Sequence, residues 1–61
     1  MVDLKEVRTN AGMTQEALAT ECEVQRTTIT MIENGENKPS VDLAKKIGKV
    51  LNIDWTEFFE G

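Results

Sequence analysis

The feature that most constrains this chain is a pair of short apolar stripes separated by an almost minimal break. Leu18, Ala19 and Cys22 recur at helical spacing, and Ile29 and Ile32 resume the pattern after only a few residues around Glu23-Val24. Thr14 stands where an N-cap belongs, with Glu16 in the first turn, and Asn34-Gly35 supplies a stop signal for the second segment. Two helices of about two turns joined so tightly must cross at close range, and Ala19 supplies the small residue such a contact needs. That is the spacing of a helix-turn-helix, in which the first helix lies over a sugar-phosphate backbone and the second enters a major groove.

The flanking segments extend the same pattern. Leu4, Val7 and Ala11 predict a first helix stopped at Gly12. Pro39 ends the polar loop Glu36-Asn37-Lys38, and Ser40 caps a fourth helix whose inward face is Val41, Ala44, Ile47, Gly48 and Leu51. Asp54 with Glu57 resembles a capping box that opens a fifth, short helix bearing Trp55, Phe58 and Phe59. No segment alternates as a strand does, and no repeat or linker divides the chain. The expectation is an all-α fold of five short helices in a single domain, residues 1–61.

Composition excludes more than it selects. One cysteine and no histidine leave no disulfide framework, no zinc site and no Ser-His or Cys-His pair. Carboxylates alone in 61 residues leave little room for a closed catalytic pocket, so neither an enzyme nor a bound cofactor or metal is expected. No signal peptide and no membrane span are visible, which predicts a soluble, cytoplasmic protein without membrane contact. Seven Lys and Arg against eleven Asp and Glu give a net charge of −4, which argues against nucleic acid if taken alone. DNA meets one face, however. On a helical wheel fixed by Ile29 and Ile32, Thr27, Thr30, Met31 and Asn34 point outward with Arg26 beside them, and none is acidic. Arg can pair with guanine, and Thr and Met methyl groups can meet thymine methyls. Asp42, Asp54, Glu57 and Glu60 belong to the other half of the chain, whereas Glu21, Glu23 and Glu36 fall nearer the proposed face.

The runs Gly12-Met13-Thr14-Gln15-Glu16-Ala17-Leu18-Ala19 and Thr28-Ile29-Thr30-Met31-Ile32-Glu33-Asn34-Gly35 carry a resemblance to Xre/Cro-family helix-turn-helix regulators. Leu4 to Arg8, Lys38 to Val41, and Leu51 to Phe59 continue it without gaps. The resemblance implies a lambda-repressor-like DNA-binding fold with the helix-turn-helix at helices 2 and 3. It also implies a transcriptional regulator, such as a repressor, whose partner is double-stranded DNA. By the same resemblance Gln25, Arg26, Thr27, Thr30 and Met31 occupy base-reading positions. Thr14, Gln15, Asn34 and Lys38 fall at phosphate contacts, and Arg8 with Glu33 forms a structural ion pair. Glu23 stands where the family has Gly, Gln25 where it has a Ser or Thr cap, and Glu36 where Lys or Arg is common.

The adjacent aromatics point about 100° apart, which leaves one of them exposed. Most of the area of Trp55, Phe58 and Phe59 is read as core closure. What they leave exposed, with the end of the fourth helix, is read as a homodimer surface that sets two recognition helices one DNA turn apart. The competing expectation is a modulator or antitoxin-like subunit on the same fold, whose acidic surface takes a partner protein. Cys22 reads as a small core residue.

Overall fold

Four α-helices and a terminal 3-10 turn make up the computed structural model, which describes residues 2–59; Glu60 lies outside the described residues. Helix α1 spans Leu4–Asn10, α2 Gln15–Glu21, α3 Arg26–Glu33 and α4 Val41–Leu51, and the 3-10 turn covers Trp55–Phe58. Among the described residues there is no strand.

Each helix start can be traced to a side chain. Asp3 accepts from the Glu6 amide, Thr14 from Ala17 and Ser40 from Leu43, so α1, α2 and α4 are all capped by their own sequence. Gln25 occupies the cap position of α3 but makes no side-chain cap bond. The residues Gly12 and Gly35 sit at φ 74° and 79°, where the chain leaves α1 and α3 in the left-handed region that glycine enters without cost. Glu23 takes the same conformation at φ 60° in the turn between α2 and α3, and Asn52 takes it at φ 58° to end α4.

Nine described residues form the buried centre, among them Leu18, Cys22, Ile29, Ala44 and Ile47 with no measurable exposure. Ala19, 3% exposed, lets α2 and α3 cross closely, and the Val24 amide bonds back to the Ala19 carbonyl at 3.0 Å to tighten the turn. Burial lifts the Cys22 thiol above its ordinary value, with the Lys46 charge opposing this, so the residue packs as a small apolar group.

Two expectations need correction. Val41 is 49% exposed and is not part of the inward face of α4, because it is the first residue of the helix and the core contact of that turn is made by partly buried Leu43; Ala44, Ile47, Gly48 and Leu51 are buried. The last helix is a 3-10 turn rather than an α-helix. Asp54 caps it through the Thr56 amide at 3.0 Å and also accepts from the Thr56 hydroxyl at 2.6 Å, a shorter-range closure than the capping box with Glu57 would give.

Candidate nucleic-acid interface

Recognition surfaces of this kind depend on how firmly one helix is held, and here α3 is held by a line of polar side chains. Arg8 on α1 donates from Nε to Glu33 Oε2 at 2.6 Å, from Nη2 to Glu33 Oε1 at 3.3 Å, and from Nη1 to the Met13 carbonyl at 2.7 Å. Gln15 on α2 donates from Nε2 to Glu33 Oε1 at 2.9 Å, and its own Oε1 accepts from the Thr30 hydroxyl at 2.9 Å. Three helices thus meet at one carboxylate. The Glu33 and Arg8 side chains are only 3% and 11% exposed, so the pair is shielded from solvent.

Burial alone would raise the Glu33 carboxyl. Hydrogen bonds from Arg8 and Gln15, together with the charges of Arg8 and Lys5, outweigh that and hold it below its ordinary value. Glu33 is the only acidic residue of α3, and its charge is spent inside the fold. What α3 leaves outside is Arg26, Thr27 and the thioether of Met31, all exposed, with Thr30 half-buried beside them.

Thr30 differs from the outward position the wheel gives it. Its hydroxyl turns inward to Gln15 and lies 3.2 Å from the Arg26 carbonyl, so its methyl and oxygen lone pair are what remain for the surface. Gln25, Thr14 and Asn34 are exposed around this face, and Gln15 is partly buried by its bonds to Glu33 and Thr30. A shallow groove lined by Arg8, Met13, Thr14, Gln15, Glu16 and Arg26 runs between the starts of α2 and α3. Exposed Lys38 follows Gly35 in a loop anchored to α3: the Glu36 and Asn37 amides both donate to the Met31 carbonyl, at 2.9 and 3.3 Å.

The family of the chain follows from comparison. The helix-turn-helix family HTH_3 matches residues 4–58, from the first residue of α1 to the end of the 3-10 turn. This chain belongs to that family. The uncharacterized HTH-type transcriptional regulator YqaF of Bacillus subtilis is 53% identical over 57 residues, covering 93% of this chain and 75% of that protein. Control protein C.BamHI of Bacillus amyloliquefaciens is 44% identical over 43 residues, covering 70% of this chain and 53% of its own. In solved form, an HTH_3 family transcriptional regulator from Vibrio cholerae superposes with a TM-score of 0.77 at 30% identity. That match covers 93% of this chain but 32% of the Vibrio chain, so this chain spans about a third of that protein. The HTH_3 chain is accordingly an all-helical, Xre-like DNA-binding domain of a transcriptional regulator.

Other parts of the HTH_3 domain were less visible in the sequence. Nothing in the spacing marks the Met13 carbonyl as an acceptor for Arg8. Nor does it show that Lys46 lies 3.6 Å from Glu23 across an exposed surface. At the C-terminal end Phe58 is 8% exposed and belongs to the core, so it is not available as a dimer surface. Phe59 is 42% exposed and Trp55 half-buried, with their rings edge-on at 6.2 Å. Lys45 lies 5.3 Å over the Trp55 ring. No described helix is long and apolar enough to cross a membrane, and among the described residues no cluster of side chains is suited to a metal ion.

Proposed function

We infer that this domain binds a specific duplex site with α3 in the major groove, acting as a homodimer on a pseudo-palindromic operator. Gln25, Arg26, Thr27, Thr30 and Met31 face base edges, while Thr14, Gln15, Asn34 and Lys38 meet flanking phosphates. One observation carries this reading: the outward face of α3 presents a cation, hydroxyl-bearing and thioether side chains but no free carboxylate, because Glu33 is neutralised within the fold. An α-helix with such a face matches the width and edge chemistry of the groove.

The dimer is supported by apolar surface left outside at the C-terminal end, where Phe59 is 42% exposed beside half-buried Trp55. Pairing two copies would set recognition helices about 34 Å apart. Placed over a promoter, the bound dimer acts as a repressor by occupancy. The net charge of −4 makes affinity for random sequence weak, so specificity comes from base contacts and from doubling the site.

The test is fluorescence anisotropy with duplex DNA from upstream of the protein's own gene. Arg26→Ala should weaken binding by roughly tenfold or more while leaving the circular dichroism spectrum unchanged. Tight binding of a monomer to unrelated sequence would contradict the reading. Absence of any binding by the wild type would favour the alternative of a protein-interaction module.

A further inference from the structure

Within the groove-binding reading, the hydrogen-bond line from Arg8 to Thr30 has a fixed direction. An ionised carboxylate only accepts, and a guanidinium only donates. Glu33 therefore takes protons from Arg8 on one side and must take one from the Gln15 NH2 on the other, at 2.9 Å. That choice orients the Gln15 amide and turns its carbonyl oxygen, which also only accepts, toward Thr30. The single proton of the Thr30 hydroxyl must then point inward. Releasing it to the surface would leave two oxygens facing each other at 2.9 Å with no proton between them.

We propose that this line makes Thr30 a specificity-determining residue that offers the groove a methyl and an acceptor but no donor, so that guanine is excluded at the base it faces. Guanine presents two acceptors, N7 and O6, in the major groove, whereas thymine presents a methyl and adenine and cytosine present amino donors. Glu33, far from any base, sets this preference through Gln15. The inference rests on the proposed placement of α3 in the groove.

Glu33→Gln reverses the line with almost no change in shape. The new side chain can accept from Arg8 Nε and donate its NH2 to Gln15, giving up the longer bond from Arg8 Nη2 at 3.3 Å, and the Gln15 amide then turns its own NH2 toward Thr30. The Thr30 hydroxyl is left free to choose between the Arg26 carbonyl, 3.2 Å away, and an acceptor on a base.

The experiment is selection from a randomised duplex library with the whole chain. Thr30→Ala identifies the operator position that Thr30 faces, as the position whose preference changes. There the wild type should disfavour guanine by roughly tenfold, and Glu33→Gln should reduce that to about twofold or less. Gln15→Met, which deletes the amide but leaves Arg8 and Glu33 paired, should act in the same direction and serves if Glu33→Gln does not fold. Thr30→Val has no donor to release and should continue to exclude guanine. Guanine preferred by the wild type, or excluded equally by both folded relay variants, overturns the proposal while leaving DNA binding intact. Failure of the wild type to enrich any sequence overturns the groove-binding reading itself, and the proposal with it.

Discussion

Gly48 and Trp55 are packed so closely that a Cβ on Gly48 would lie 3.0 Å from the Trp55 Cβ and 2.8 Å from the Ile53 carbonyl oxygen. The glycine is there to let the end of the chain fold back across α4. Alanine would gain about 1 kcal/mol of helix propensity, but it must push backbone aside, an overpacking cost of about 1–3 kcal/mol. Gly48→Ala is therefore expected to lower the melting temperature by several degrees and to raise the exposure of Trp55. Tryptophan fluorescence followed through a thermal melt checks both, and an unchanged or higher Tm would refute the account.

Glu23 stands in the left-handed region at φ 60° without a bond that requires glutamate, since its contact with Lys46 is 3.6 Å and largely exposed. Left-handed backbone costs a residue with a Cβ about 1–2 kcal/mol, partly offset by the extra freedom glycine has when unfolded. Glu23→Gly should stabilise the domain by about 0.5–1 kcal/mol, read as a higher urea midpoint with unchanged slope. A fall in the midpoint would mean the exposed ion pair matters more than such pairs ordinarily do.

Breaking the Arg8–Glu33 pair from one side should be far worse than replacing both partners. Arg8→Ala leaves a shielded carboxylate without its cation and is expected to cost about 3 kcal/mol, whereas Arg8→Leu with Glu33→Met should recover most of that loss. Urea titrations of the two variants decide it. Additive losses in the double variant would contradict a pair that fixes helix register more than it stabilises.

The lowered Glu33 carboxyl makes a pH prediction of definite sign. A group held below its unfolded value contributes stability that is complete above the ordinary glutamate pKa of about 4.3 and is lost as pH falls through the lower, folded value. Asp54, held low by bonds from the Thr56 hydroxyl and amide, acts in the same direction. Stability should decline between about pH 4 and the onset of acid unfolding, and Glu33→Gln should make that decline shallower. Parallel pH profiles for the two proteins would remove Glu33 from the explanation.

The exposed cation Lys38 lies outside α3, and the proposed function sets it against phosphate rather than a base. Lys38→Ala should weaken DNA binding on all sequences alike and reduce the salt slope by about 1. A sequence-selective loss, seen by anisotropy on two operators, would instead place this lysine at a base.

Much of the fold could be read from the residues because local rules and tertiary packing agree. Thr14 and Ser40 cap the helices they precede, and Ala19 and Ile29 are buried where apolar spacing puts them. Periodicity is weakest at chain ends, where a few contacts decide the outcome. Val41, at the very start of α4, is left outside while Leu43 takes the core contact of that turn, and Asp54 closes a 3-10 turn through Thr56 rather than through Glu57. The candidate surface was legible only as a set of directions. That the Thr30 hydroxyl turns inward depends on Gln15 and Glu33, and Glu33 is distant in sequence from both Gln15 and Arg8.

The paired amides on the Met31 carbonyl, from Glu36 and Asn37, have a consequence for how such a domain acquires a new operator. They tie the loop before Lys38 to the helix, so a tilt of one moves the other. On the proposed placement of α3 in the groove, new target sequences would be reached by exchanging side chains at Arg26, Thr27 and Met31 on this frame, letter by letter, rather than by re-seating the helix.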